Sequence, residues 1–273
     1  MIKNTSDQIN IIIPRGQVIL EPIDLRTHDA SDILIILEPS SSATIIHGSN
    51  PATCSVHPAV PGEASRVAWE RSRRAIFRTI HCILHEHATL ILDYNEEWQE
   101  SIIAKTDILV EQKHLSSLYY THSVRSDAQI SQQFSLNATQ PDTHADIQAI
   151  YQIAGKGSVT MTTLQDHDAK HTVSNLRIKG IVRDTAHIHH HGTIRITERG
   201  VHAESAQHTK LLLLSDHARA ISVPNIEVLT HEVQCAHGSA IGRLDEEQLW
   251  YLQARGLSYV QAEQILIDGF LKF

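Results

Sequence analysis

Ser158-Val159-Thr160-Met161-Thr162 and Thr193-Ile194-Arg195-Ile196-Thr197 alternate apolar and polar side chains residue by residue. A period of two places one face of an extended segment inward and the other in water. Further strand segments read as Ile9–Ile13, Gln17–Pro22, Ile33–Leu37, Ala43–His47, Thr79–Leu84, Thr89–Leu92, Ile147–Ile153, Ser158–Thr163, Asn175–Val182, Gly192–Thr197, Lys210–Leu214 and Ile226–His231. They are rich in β-branched residues and bounded by Gly, Pro, Asn, Asp and Ser, as strands and turns require. Ala64–Phe77 and the polar stretch Glu96–Lys105 are the segments that depart from this pattern. Many short strands with few helices indicate a sandwich, a barrel or a solenoid of β coils. No strict repeat length is visible, so periodicity alone does not choose among them. In a parallel β-helix the coils stack about 4.8 Å apart and inward Val, Ile and Leu form ladders. Leu211-Leu212-Leu213-Leu214 suits a strand buried on both faces.

Beyond Gly242 the character changes. Asp245-Glu246-Glu247-Gln248 reads as a capping box, with the Asp245 carboxylate accepting from the Gln248 N–H while the Gln248 side chain reaches back. Leu249, Trp250 and Leu252 then form a buried stripe, and Gly256 sits where a left-handed residue ends a helix. Ser258-Tyr259-Val260-Gln261 repeats the capping logic and opens a second helix with Ala262, Ile265, Leu266 and Phe270 on its apolar side. The sequence therefore divides into a β body over residues 1–241 and a C-terminal helical region over residues 242–273.

The 273 residues carry 23 Lys plus Arg against 31 Asp plus Glu, a net charge of −8. An acidic chain is a poor nucleic-acid binder by bulk electrostatics, because phosphate binding needs clustered positive charge. Hydrophobic residues at 41% support a folded core. Cys54, Cys82 and Cys235 are too few and too scattered for a disulfide framework and suit a reducing compartment. Met1–Asp7 lacks the charged start and apolar run of a signal peptide, and no apolar stretch reaches the roughly 18 residues of a membrane span. A cytoplasmic protein with no membrane partner is expected.

Twenty histidines are the unusual feature of the composition. His187-Ile188-His189-His190-His191 on a strand points His187, His189 and His191 to one side, where neutral imidazoles can bind Zn²⁺, Fe²⁺ or Ni²⁺. The competing reading is a solvated polar face. An iron site of the cupin type wants a carboxylate soon after the histidines, and the next one is Glu198. His81-Cys82-Ile83-Leu84-His85-Glu86-His87 lacks the second histidine of a His-Glu-x-x-His helix, because residue 89 is Thr. His231-Glu232-Val233-Gln234-Cys235 misses the same motif at its fifth position. Arg66, Arg71, Arg73, Arg74 and Arg78 form a basic run around Trp69, which is most simply a solvated surface. Gly155-Lys156-Gly157-Ser158 is not a phosphate loop, since the leading glycine would fall on Ile150, so the chain carries no ATPase site of its own. Ser215-Asp216-His217 is contiguous and cannot form a triad by adjacency. Cys235-Ala236-His237-Gly238 places a thiol and an imidazole two residues apart on one strand face, where both can reach one metal or one sulfur species. Two ligands do not complete a tetrahedral site, so other segments or a second chain must contribute. A buried, inert cysteine beside a structural histidine is the alternative.

Ser222-Val223-Pro224-Asn225-Ile226-Glu227-Val228, Val233 through Gly242 and Leu244 through Leu257 together resemble the C-terminal signature of the SufB/SufD iron–sulfur cluster assembly proteins. The resemblance runs from about Ile181 to Phe270 and thins back to His144. It implies a mainly β fold, a right-handed parallel β-helix, with a short C-terminal α-helical hairpin. It also implies a non-catalytic assembly subunit that pairs through its last coils with a SufB-like chain, or with itself when alone. A SufC-like ATPase would dock on the helices Glu246–Arg255 and Tyr259–Leu271. The Cys-x-His-Gly arrangement looks more like SufD than SufB. On this resemblance His237 is an iron or sulfur ligand at the partner interface and Cys235 a secondary candidate. They would meet a transient iron–sulfur cluster rather than a permanently bound cofactor. The interface cysteine of SufB falls on Thr209 and is missing. Two departures stand out: strand pattern begins near Ile9, where the family usually has a helical region, and the His187–His191 cluster is not a family feature. The reading from another class is a stand-alone metalloenzyme that uses the His187–His191 cluster and Glu198.

Overall fold

The structure is a computed structural model that describes residues 2–4, 8–25, 31–49 and 74–273. Its strands are dealt alternately into two sheets. One sheet holds β2 (Gln8–Ile13), β4 (Asp32–Leu37), β6 (Arg74–Leu84), β8 (Ile102–Gln112), β10 (Gln129–Ala138), β12 (Ser158–His167), β14 (His187–Ile196) and β16 (Arg219–Val228), with β1 (Ile2–Asn4) antiparallel at its start. The other holds β3 (Ile23–Asp24), β5 (Ser42–Ser49), β7 (Thr89–Trp98), β9 (Ser117–Ser126), β11 (His144–Ile153), β13 (Val173–Val182), β15 (Glu204–Leu213) and β17 (Gln234–Arg243). Each chain turn crosses from one sheet to the other and returns one strand further along, which makes a two-faced parallel β-helix. The helices α1 (Glu246–Ala254) and α2 (Tyr259–Leu271) follow.

Alternation builds the core. Ile130, Val159 and Ile188 lie side by side in register and are buried, as are Ile147 and Leu176 in the facing sheet. Coil length is irregular: Gln129 lies beside Ser158 and Ser158 beside His187, steps of 29, but His187 lies beside Arg219, a step of 32, and Asp32 beside Thr79, a step of 47. That irregularity hides the repeat from a fixed-period search.

The corners explain how unequal coils still stack. His87, Leu115, Asp142, His171 and His202 adopt left-handed φ values between 55° and 60°. An L residue pays for that conformation. Here it turns each N–H toward the next coil, where it donates to the carbonyls of His114, Pro141, Lys170, Val201 and Glu232 respectively.

Several expectations are corrected. Gln17–Pro22 forms no strand; Val18 makes a single bridge to Ser42. Glu96–Lys105 is no exception to the β pattern, because it spans the end of β7, a turn and the start of β8. Strands β9 and β10 escaped the pattern reading because Tyr, His and Gln occupy inward positions there. Of Ala64–Phe77, residues 74–77 belong to β6, while 64–73, with Arg66, Trp69, Arg71 and Arg73, and Cys54 lie outside the described residues. No helix among the described residues is long and apolar enough to cross a membrane.

The hairpin is capped largely as expected. Ser258 and Gln261 form a reciprocal capping box, and Gly256 has φ +95°. Asp245 accepts from the N–H groups of Glu247 and Gln248, a simple N-cap without the return bond. The buried face differs: Trp250 is 62% and Ile265 48% exposed, while Leu249, Ala262 and Ile267 are buried. Ile267 packs with Ile181 and Leu212 on the outer face of the β17-containing sheet, so Leu211 and Leu212 are indeed buried on opposite faces of β15.

Candidate functional site

The last coil is built like the others but left uncovered. β17 pairs with β15 in the register Ser205–Cys235, Gln207–His237, Thr209–Ser239 and Leu211–Ile241. β16 pairs with β14, Ile194 beside Ile226. Among the described residues no strand follows either of them in its sheet. Side chains that would be sealed one coil earlier therefore meet solvent. Leu211 is 2% and Ile194 0% exposed, whereas their register partners Ile241 and Ile226 are 43% and 37% exposed. Ile221 and Val223 are exposed on the outer face of β16, beside His189 and His191.

Cys235 and His237 both occupy the inward row of β17, continuing the column of buried Ser205 and Gln207. Cys235 is half-buried against Ile194, Ile196, Ala203, Val228 and Val233, and burial pushes its thiol up from the usual range. The thiol is therefore protonated at neutral pH in the isolated chain, and no helix or imidazolium lowers it. His237 is exposed. Gln207 Oε1, one coil in beside His237, and Ser222 Oγ on β16 are buried and find no hydrogen-bond partner among the described residues. Gly192 opposite leaves room for the Gln207 amide, which an added Cβ would force to move. The open coil thus presents a thiol, an imidazole and unmatched polar atoms, ringed by apolar side chains.

Thr209 is buried one coil in. Its Oγ1 lies 3.1 Å from Nδ1 of His190, whose Nε2 lies 3.0 Å from Thr163 Oγ1. Burial depresses the His190 imidazole to about 4, so the ring is neutral. His187, His189 and His191 point outward on the opposite sheet face, as alternation requires, and are exposed; His191 Nε2 meets Asn225 at 3.1 Å. Glu198 lies exposed past the end of that strand. Among the described residues no three His, Cys, Asp or Glu side chains come together to hold a metal. Cys82 is sealed in the core, its thiol pushed up to about 12 by burial, and His81 bonds Glu111 at 3.0 Å.

The sequence reading missed a polar cluster inside the coil. Glu96 is buried and accepts from Tyr94 Oη at 2.7 Å, Thr106 Oγ1 at 2.8 Å and Gln132 Nε2, with His122 Nε2 at 3.4 Å. Tyr151 Oη donates to Gln132 at 2.7 Å, and Arg78 lies over the Trp98 ring. Burial alone would raise the Glu96 carboxyl, but the bonds from His122, Tyr94 and Thr106 outweigh it and bring it to about 2. The signal was present: Glu96 sits between Tyr94 and Trp98 in the inward row.

The hairpin carries a second exposed apolar surface, formed by Trp250, Tyr251, Tyr259, Val260 and Ile265.

Comparison with known proteins agrees with this architecture. The family model for the SufBD core domain of the SUF iron–sulfur cluster assembly system matches residues 24–270, well beyond the stretch from Ile181 to Phe270 that carries the sequence resemblance. A SufBD family protein of Mycobacterium tuberculosis is 36% identical over 115 residues, 39% of this chain and 29% of that protein. SufD of Escherichia coli is 30% identical over 92 residues, 34% of this chain and 22% of its own length. SufD of Bacillus subtilis is 26% identical over 156 residues, 57% and 36% of the two chains. The matched stretches thus span well under half of these relatives. On fold and family match together, the chain belongs to the SufB/SufD family of iron–sulfur cluster assembly proteins and is SufD-like within it.

Proposed function

We propose that this chain is a non-catalytic subunit of a cytoplasmic cluster-assembly complex. It pairs through the β16–β17 coil with a SufB-like chain, or with a second copy of itself when alone. The observation that carries this reading is the uncovered inward row of the last coil, where Ile226, Cys235, His237 and Ile241 stand in positions that a further coil would bury. Open strand edges beside exposed aliphatic residues favour association. His237 serves as a ligand for iron or the nascent cluster, the cargo of the complex: an imidazole nitrogen offers a lone pair without the redox liability of a thiolate. Cys235 is secondary because its thiol is held protonated. The remaining ligands come from the partner, so the cluster is transient. The helical region 242–273 acts as the docking element for a SufC-like ATPase, its exposed Trp250, Tyr251 and Tyr259 supplying the contact.

The test is reconstitution with SufB-like and SufC-like chains, reading iron and acid-labile sulfide per complex. His237→Ala is expected to lower cluster yield by about tenfold or more, a loss seen even for residues one layer out from a metal. Cys235→Ser lowers it less. An unchanged yield with His237→Ala, in a complex that still assembles, overturns the ligand role.

A further inference from the structure

The outer face of the sheet containing β13 and β15 carries a group of cations that the fold does not need. Lys179 on β13 stands beside Lys210 on β15, and Arg177 beside His208, in direct register. Like charges at paired positions destabilise a sheet. In a chain of net charge −8 such a grouping is not imposed by composition. Asp146 meets one edge of Arg177, at 2.8 and 3.0 Å from Nη2. Lys179 Nζ donates to the Phe270 carbonyl at 2.8 Å and to that of Lys272, which draws the segment after α2 across the face. Two donors remain. Lys210 makes no ion pair among the described residues, and Arg177 Nε is buried without an acceptor.

These groups line one concavity. Its walls are Arg177, Lys179, His208, Lys210 and the ring of Phe273, which lies 4.9 Å from Lys179 Nζ and 5.7 Å from Arg177 Cζ. The neighbouring strand β17 sets only small residues alongside, Gly238 and Ala240 beside His208 and Lys210. Burial, then the nearby charges of Lys210 and Arg177, lower the Lys179 ammonium. Sequences break local rules of this kind mainly at functional sites.

We infer that this concavity binds an organic phosphate, its phosphate group on Lys210 beside Lys179 and its ring or apolar part against Phe273. Guanidinium and ammonium groups are the usual phosphate partners, and an anion here relieves the Lys179–Lys210 repulsion. The site lies on the outer sheet face, away from the inward row of the open coil, and its test does not depend on the role of His237.

The experiment is thermal unfolding and titration calorimetry of the whole chain with adenosine monophosphate, inorganic phosphate or adenosine, against sodium chloride at equal ionic strength. A ligand that binds only the folded state raises the midpoint. Adenosine monophosphate is expected to raise it most, inorganic phosphate less and adenosine not at all. Lys210→Gln is expected to weaken adenosine monophosphate binding by about tenfold, one charge-assisted contact, with an unliganded midpoint at or above that of the parent. The proposal is overturned if neither phosphate exceeds chloride, or if the shift survives in both Lys210→Gln and Lys210→Glu. Adenosine acting as strongly as its monophosphate also overturns it, and inorganic phosphate acting as strongly removes the organic part.

Discussion

His190 shows how one position inside a coil links stability to pH. Its ring is held between Thr163 and Thr209, and burial depresses the imidazole from 6.5 to about 4. His167, between Thr172 and Ser174, is depressed to about 4 for the same reason. A buried base of this kind stays neutral in the fold while the unfolded chain takes up its proton, so stability falls as pH drops from 6.5 towards 4. Each such shift is worth up to about 3 kcal/mol. His190→Gln is therefore expected to make the loss of stability over that window clearly shallower, as measured by urea unfolding at pH 7, 5.5 and 4.5. Glu96 acts lower: its carboxyl is depressed to about 2, so its contribution is present above 4.5 and lost as pH falls from there towards 2. At this scale the sequence was half legible. Alternation put His187, His189 and His191 together on one face, and it put Cys235 with His237. The partners of His190 lie 27 and 19 residues away and depend on coil lengths that no local pattern states.

The elements divide between those specified locally and those specified by packing. Helix α2 is announced by Ser258 and Gln261, because a capping box needs only four consecutive residues. Ser258→Ala is expected to cost α2 about 1 kcal/mol. In the whole chain this should appear as faster amide exchange in α2 with no change in β8–β12, since local opening is read element by element. Which face α2 buries was not legible. Ile265 and Ile267 are equally apolar, and only the position of Ile181 and Leu212 selects Ile267. The strands around Glu96, His122 and Gln132 were obscured for the opposite reason: their inward residues are polar, and each is matched by a partner from another strand. Ile267→Ala removes the side chain that ties the hairpin to the sheet. A loss of about 2–4 kcal/mol is expected for this core truncation, read by denaturant unfolding, together with weaker capture of a SufC-like ATPase.

At the scale of the molecule, a solenoid distributes stability by neighbour contacts, so the consequence of a substitution depends on its coil. Phe134 lies inside a coil flanked on both sides, buried beside Tyr120; a lysine there strands a charge in the core and should prevent folding. Ile241 occupies an equivalent inward position on the terminal coil, yet it is 43% exposed and no strand among the described residues follows β17. Ile241→Lys is therefore expected to leave the melting midpoint of the isolated chain within about 3 °C, less than about 1 kcal/mol for a chain of this size. Across the proposed seam the same lysine meets a partner's apolar surface and should weaken pairing by about 30-fold or more, the 2 kcal/mol of an interface hot spot. Sedimentation velocity with a SufB-like chain reads the second effect and a thermal melt the first. A variant that melts early without its partner would show that the chain itself seals this coil, and one that pairs normally would show that the seam lies elsewhere.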